Sequence, residues 1–162
     1  MTPPFPPAGR VIGVDHGSAR VGLAVCDAGR VVASPLATYH RRNAARDAAY
    51  FQRIAVQEGA VGFVVGLPVH LSGREGEQAA ACRRFGAWLT QATGLPVAFW
   101  DERWTSSAAD DAMLAAGLTP KRRKEKRDRV AAQLILEAFL AGGATGVMLQ
   151  ILPDADGPEV EL

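Results

Sequence analysis

The eight residues Ala60–Leu67 (AVGFVVGL) limit the possible folds of this 162-residue chain more than any other segment. All eight are apolar or glycine, and an uninterrupted apolar strand has to be covered on both of its faces. Residues 43–58 before it and residues 75–93 after it repeat apolar side chains at helical spacing, and Gly59 and Gly94 mark their ends. A buried strand between two helices predicts an α/β fold with helices on the faces of a sheet.

The other apolar segments extend this sheet. Residues 11–15, 21–27 and 30–39 predict three strands in a meander, with a tight turn at Ala28-Gly29. The predicted fold class is therefore α/β, a mixed five-stranded sheet in which the meander is followed by alternating helices and strands. The remaining predictions are a strand at residues 96–100, helices at residues 105–116 and 127–140, and one added strand at residues 147–152.

Length and composition predict one domain. We expect it at residues 10–143, preceded by a flexible proline-rich arm at residues 1–9 and followed by an extension at residues 144–162, a single strand and a mobile tail. Hydrophobic residues make up 48% of the chain, which excludes a fully disordered protein. No apolar run approaches the roughly 20 residues needed to cross a bilayer, and MTPPFPPAGR lacks the pattern of a secretory signal. Only Cys26 and Cys82 are present, which favours a reducing cytoplasm.

The positive charge of the chain is concentrated in one segment. Residues 121–129 (KRRKEKRDR) carry a net charge of +5, whereas the whole chain carries +1. A cluster of this kind predicts a nucleic-acid partner, although a solvated helix end would have the same composition. Pro120 and the absence of apolar side chains predict a mobile loop here. The candidate phosphate-binding residues in this loop are Lys121, Arg122, Arg123, Lys124, Lys126 and Arg127.

Carboxylates follow two of the predicted strands and open the last helix. Asp15 ends the first strand, Asp101 and Glu102 follow the fifth, and Asp128 lies at the start of the final helix. In open α/β sheets functional groups gather beyond the carboxyl ends of the strands, so we expect these acids to converge. Asp101 and Glu102 point to opposite faces, so only one of them can join the other two acids. Three converging carboxylates repel one another unless a hard cation such as Mg²⁺ or Mn²⁺ lies among them, and such ions support phosphodiester cleavage.

The hairpin around Asp15 leaves more than one function open. In VIGVDHGSARVGLAV, Gly17 permits a turn and Gly22 permits close approach of another backbone. Sugar kinases and actin-like ATPases have similar acid-glycine hairpins, so an ATP phosphotransferase is one alternative. That architecture duplicates the domain, and no second hairpin of this kind is present in the sequence. A non-catalytic nucleic-acid-binding module with structural acids is the other alternative.

Four segments together resemble the YqgF family (RuvX-like). They are VIGVDHGSARVGLAV, VVGLPVHLSG, DERWTSSAA and KRRKEKRDRVAAQLIL, and the resemblance spans residues 10–140. It implies an RNase H-like fold and the activities of that family, Holliday junction resolution and pre-16S rRNA cleavage. It also implies that Asp15, Glu102 rather than Asp101, and Asp128 are the catalytic carboxylates that bind Mg²⁺ or Mn²⁺.

The resemblance further implies how the chain meets its substrate. The expected activity is hydrolysis of phosphodiesters in structured nucleic acid, as 5′-end processing of 16S rRNA precursor or cleavage of branched DNA, by a monomer or homodimer without a membrane partner. Arg20 and Arg103 flank two of the acids, where they would bind phosphate or pair with the carboxylates. His16 is expected to be a hydrogen-bonded bystander.

Overall fold

The computed structural model describes residues 5–70, 72–102, 117, 119–142 and 148–151. Within these residues the chain forms six strands and three helices. In chain order they are β1 (Arg10–His16), β2 (Arg20–Cys26), β3 (Ala33–His40), α1 (Ala44–Glu58), β4 (Ala60–Leu67), α2 (Glu77–Thr93), β5 (Val97–Asp101), α3 (Pro120–Gly142) and β6 (Met148–Ile151).

The strands form one mixed sheet in the order β3-β2-β1-β4-β5-β6. β1, β2 and β3 pair antiparallel as the predicted meander, whereas β4 runs parallel to both β1 and β5. The predicted α/β mixed sheet of five strands is confirmed, and β6 adds a sixth strand antiparallel to β5. Because β1, β4 and β5 are parallel, their carboxyl ends meet at one edge of the sheet.

Helices cover both faces of the sheet, as the apolar strand β4 requires. On one face α1 and α2 enclose a core that includes Phe51, Phe63 and Phe85. On the other face α3 packs its Ala132, Ile135 and Leu136 side chains against β1, β4 and β5. Each strand alternates its side chains between these two cores, so the position of a residue along its strand determines the face on which it lies.

The predicted basic loop is helical, so the prediction of a mobile loop at residues 121–127 is wrong. Helix α3 begins at Pro120 and runs through the whole basic segment. Proline lacks an N–H and has its φ angle preset, which suits the first turn of a helix. The Thr119 hydroxyl accepts the backbone N–H of Arg122 at 3.3 Å, which caps the helix start. The sequence Thr-Pro is therefore a start signal for α3, and the predicted start at residue 127 was too late.

A flexible arm is expected at residues 1–9, and for residues 5–9 the structure differs from this expectation. Phe5 is buried against Phe139 of α3, with ring centroids 5.8 Å apart. Arg30 donates hydrogen bonds to the carbonyl oxygens of Pro6 and Gly9, at 2.7 and 2.8 Å. Residues 5–9 are thus anchored to the face of the sheet that carries α3.

The structure also bears on the predictions made for residues 105–116, for the two cysteines and for membrane-spanning segments. The helix predicted at residues 105–116 lies outside the described residues. Cys26 and Cys82 are both buried and free, in line with an interpretation as apolar thiols. Within the described part of the chain, no helix has the length and apolar character needed to span a membrane.

Helix α3 lies unusually close to the sheet because glycines line its path. A methyl group added to Gly22 of β2 would overlap the backbone carbonyl of Asp128, and one added to Gly13 of β1 would lie 2.9 Å from the Ala132 carbonyl oxygen. Helix backbone cannot move away from such a contact without moving the whole helix. The two glycines therefore determine how near the first half of α3 comes to β1 and β2.

We predict that Gly22→Ala destabilises the protein by about 2–4 kcal/mol, because the added methyl group meets helix backbone rather than a side chain that can rotate away. Urea denaturation measures the change. Gly29→Ala is the matched control, since its methyl group would meet only the Asp27 carboxylate and a Val31 methyl group in an exposed turn. Equal stability losses in the two variants would contradict the close packing of α3.

Candidate active site

Asp15 and the first turns of α3 share one face of the sheet. Asp15 lies two residues beyond Gly13 on β1 and therefore points to the same side, toward α3. Its partner on β2 is Gly22, and the Asp128 backbone packs directly on that glycine. The missing side chain at Gly22 thus lets α3 bring Asp128 to the strand position next to Asp15.

Glu102 joins them from the other side of β4. Ala98 and Trp100 of β5 belong to the core beneath α3, so strand alternation directs Glu102 to that same face. The carboxylate oxygen Oε2 of Glu102 lies over Gly66 of β4, in the space that a side chain at Gly66 would occupy. Ile135 of α3 borders the same space. All three predicted acids therefore lie on the α3 face of the sheet.

Asp101 lies on the opposite face. It is the register partner of Leu67 in the parallel pair of β4 and β5, and the Leu67 side chain belongs to the core beneath α1 and α2. Residues in register on parallel strands point to the same side of a sheet. The geometry therefore separates the two neighbouring acids and groups Glu102, not Asp101, with Asp15.

Sequence reasoning missed the role of Gly66, which it treated as one residue of the apolar strand Ala60–Leu67. β4 lies between β1 and β5, so Asp15 and Glu102 are two strand spacings apart, about 10 Å. Any side chain on β4 between them would keep their carboxylates apart. Glycine at this position leaves the intervening space to Glu102.

Burial and mutual repulsion change the acidity of this group. Burial, together with the charges of Glu102 and Asp128, raises the pKa of Asp15 to about 7, whereas the charge of Arg127 opposes the rise. Burial, together with the charge of Asp101, raises the pKa of Glu102 to about 7. Carboxyl groups with pKa values this high are typical of functional sites, where a bound cation or a shared proton relieves the repulsion.

Asp128 is held by an arginine from the neighbouring strand. Arg20 Nε donates to Asp128 Oδ2 at 2.8 Å, and both side chains are partly exposed. Arg20 was expected either to bind phosphate or to pair with a carboxylate, and in the structure it forms an ion pair with Asp128. Arg20 thereby fixes the orientation of the Asp128 carboxylate near Asp15.

The basic residues of α3 continue from this site along the helix. Arg122, Lys126 and Arg127 are exposed, and Arg122 and Lys126, four residues apart, share one side of the helix. Lys121, Arg123 and Lys124 belong to the same turns of α3. Arg103 lies outside the described residues.

His16 faces away from the acids. Its Nε2 atom lies 3.2 Å from Arg41 Nη1, and its Nδ1 atom lies 3.8 Å from Cys82 Sγ. Its ring packs on Phe85 with centroids 4.6 Å apart. Burial, together with the charges of Arg41 and Arg84, lowers the pKa of His16 to about 4. His16 is therefore an uncharged, hydrogen-bonded residue near neutral pH, as expected.

The donor set at this site suits a hard divalent cation. Carboxylate oxygens are the ligands that Mg²⁺ and Mn²⁺ prefer, and they are available here from Asp15, Glu102 and Asp128. The raised pKa values of Asp15 and Glu102 indicate that a nearby positive charge would stabilise their ionised forms. As the side chains stand in the described residues, no three His, Cys, Asp or Glu groups are close enough together to hold an ion. The chemistry of the residues fits a cation, and side-chain rotations would have to bring the oxygens together.

Comparison with known proteins identifies the family of this chain. A family model described as "RuvX: Holliday junction resolvase" matches residues 9–142. The chain belongs to the RuvX family. The resemblance to YqgF (RuvX-like) proteins found in the four sequence segments is thereby confirmed.

Similar RuvX-family relatives carry the name "Putative pre-16S rRNA nuclease". The one from Rhodopirellula baltica is 42% identical over 84% of this chain and 79% of its own length. The one from Cereibacter sphaeroides (strain ATCC 17029) is 44% identical over 84% and 85%. The one from Koribacter versatilis is 39% identical over 86% and 92%.

A solved structure agrees with the predicted fold. Thermus thermophilus RuvC, determined in complex with Holliday junction substrate, has a TM-score of 0.56 to this chain at 17% identity. The match covers 87% of this chain and 99% of that one. The predicted RNase H-like fold of the RuvX-family chain is confirmed.

The raised carboxyl pKa values predict an unusual pH dependence. The folded protein holds protons on Asp15 and Glu102 more tightly than the unfolded chain, so the free energy of unfolding should fall as pH rises from about 4 to about 7. We expect the metal-free protein to lose on the order of 2 kcal/mol between pH 5 and pH 8, measured by urea denaturation in EDTA. Asp15→Asn should flatten this profile.

Millimolar Mg²⁺ should recover the lost stability at pH 8 in the wild-type protein and much less in Asp15→Asn. Circular dichroism during the same denaturation series measures both effects. A wild-type profile parallel to that of Asp15→Asn, with or without Mg²⁺, would contradict the electrostatic coupling of this site.

Proposed function

We propose that this RuvX-family protein is a divalent-metal-dependent nuclease that hydrolyses phosphodiester bonds in structured nucleic acid in the cytoplasm. The observation that carries the proposal is the position of Asp15 and Glu102, two partly buried carboxylates on either side of Gly66, with Asp128 supplied by α3. The family description and the names of the relatives support nuclease activity. The substrates we propose are precursor 16S rRNA, at its 5′ end, and branched DNA, acted on by a monomer or homodimer.

Asp15, Glu102 and Asp128 would hold Mg²⁺ or Mn²⁺. When bound, such an ion supplies Lewis-acid stabilisation of the charge that builds up on phosphate oxygens during hydrolysis. The protein contributes preorganisation: β1 and β5 fix two of the carboxylates on one face, and Arg20 holds the third by its Oδ2 atom. Arg127 adds a positive charge beside Asp15.

The basic residues of α3 would bind the nucleic-acid backbone. Helix α3 leads directly from the exposed Arg122, Lys126 and Arg127 to Asp128, so phosphates bound along the first turns would extend to the acids. A helix presents such charges at a fixed spacing, which favours a substrate with a regular backbone. The proposed nucleic-acid-binding residues are Arg20, Arg103, Lys121, Arg122, Arg123, Lys124, Lys126 and Arg127.

One assay tests the proposed activity directly. Purified protein with Mg²⁺ or Mn²⁺ is offered precursor 16S rRNA, a four-way DNA junction and a linear duplex side by side. We expect cleavage of at least one structured substrate and none in EDTA. Asp15→Asn keeps the size of the side chain and removes a ligand charge, so cleavage should fall at least 100-fold, on the order expected for loss of a ligand group. A folded Asp15→Asn variant with full activity would contradict the proposal.

A second prediction separates the two neighbouring acids. Glu102→Gln should abolish cleavage, because Glu102 shares the face of Asp15, whereas Asp101→Asn should reduce activity less than about tenfold, because Asp101 lies on the opposite face. Initial cleavage rates of the two matched variants, compared under saturating Mg²⁺, provide the measurement. A larger loss of cleavage in Asp101→Asn than in Glu102→Gln would contradict the prediction and would assign the catalytic role to Asp101 instead.

A third prediction concerns the basic side of α3. The double substitution Arg122→Ala and Lys126→Ala should make the log–log salt dependence of duplex binding shallower by up to about 2, at about 0.9 per phosphate contact. Thermal stability should change little, because both side chains are exposed. Fluorescence anisotropy in EDTA gives the binding constants. The control is Arg46→Ala with Arg53→Ala, an equal loss of charge on α1, and an equal effect of that control would refute the role of α3.

A further inference from the structure

A cavity of about 500 Å³ opens on the other face of the sheet, at the same edge as the acids. His16 of β1 forms part of its wall, and His16 directly follows Asp15. Because neighbouring residues of a strand point to opposite faces, the cavity and the carboxylates lie back to back across the end of β1. The cavity is bounded by α1 and the segment before it, and by α2.

The walls of this cavity carry an excess of positive charge. Among the described residues, three arginines line it, Arg41 and Arg42 from the segment before α1 and Arg84 from α2, against one carboxylate, Asp47. That carboxylate is already occupied. Asp47 Oδ1 accepts the Tyr39 hydroxyl at 2.5 Å and the Arg42 backbone N–H at 3.0 Å, and Oδ2 lies 3.5 Å from Arg41 Nε. The excess charge is therefore left on the guanidinium groups.

The cavity wall is also held in a fixed arrangement. The Arg41 guanidinium lies over the Phe85 ring, 5.4 Å from its centroid, and contacts His16 Nε2. Since an arginine only donates hydrogen bonds, His16 Nε2 is the acceptor of this contact. Arg41 is thus fixed at the base of the cavity, while the side chains of Arg42 and Arg84 are exposed at its rim.

Guanidinium groups converging from two elements suit a phosphate group, which accepts paired hydrogen bonds from their planar N–H donors. We propose that this cavity binds a backbone phosphate of the substrate strand, beside the nucleotide cleaved on the opposite face. This inference rests on the proposed nuclease function. A strand that passes over the carboxyl edge of β1 would present neighbouring phosphates to Asp15 on one side and to Arg42 and Arg84 on the other.

The test measures binding in EDTA, so that it does not depend on cleavage. The pocket variant combines Arg42→Ala and Arg84→Ala. The control variant combines Arg46→Ala and Arg53→Ala, which removes the same charge from exposed residues of α1 that do not line the cavity. The probe is a fluorescent single-stranded RNA of about twelve nucleotides, a length within the range of nucleic-acid site sizes of single domains.

We expect the pocket variant to bind this RNA about tenfold more weakly, with a log–log salt slope shallower by about 0.7 for one lost phosphate contact on a single strand. The control variant should change affinity less than threefold. Thermal denaturation of both variants checks that the fold is intact. Equal losses in the two variants would overturn the proposal, because the effect would then be general electrostatics.

A second arm distinguishes a strand phosphate from a free anion. Inorganic phosphate at millimolar concentration should shift the amide resonances of His16 and Ser18, and the RNA should displace it from the wild-type protein. Phosphate binding in the cavity without any effect of the pocket substitutions on RNA affinity would overturn the assignment to substrate. The wild-type protein could cleave none of the substrates while the pocket variant still binds RNA more weakly than the wild type. In that case the nuclease proposal fails and the phosphate site stands.

Discussion

The site depends on how closely α3 approaches the sheet. The Asp128 backbone lies against Gly22 and the Ala132 carbonyl against Gly13, contacts that any larger side chain would prevent. A helix packed at an ordinary distance, on side chains rather than on strand backbone, would hold its first turns several ångströms farther away. In this chain the absence of two side chains positions one of the three acids.

The same face of the sheet concentrates charge that an ordinary core would exclude. Asp15 and Glu102 are partly buried, and their raised pKa values reflect first lost hydration and then repulsion by neighbouring carboxylates. Arg127 offsets part of that repulsion at Asp15, and Arg20 forms an ion pair with Asp128. The arrangement costs stability when the acids are ionised, and a bound divalent cation would reverse that cost.

The fold and the edge at which the acids lie could be predicted from the sequence because both follow from local periodicity and from the parallel order of β1, β4 and β5. The choice of Glu102 over Asp101 came from the resemblance to a known family, because strand alternation alone left both residues open. The start of α3 was predicted too late, because proline was read as a helix breaker rather than as the first residue after the Thr119 cap. The arginine-lined cavity joins residues 41–42 to residue 84, and no short-range pattern relates positions so far apart.

The most direct test of this account is anomalous diffraction from crystals soaked with Mn²⁺. We predict an anomalous peak between the carboxylates of Asp15, Glu102 and Asp128, on the face of the sheet that carries α3, and no such peak in crystals of Asp15→Asn. A protein that cleaves nucleic acid with Mn²⁺ while the peak lies away from these three carboxylates would contradict it.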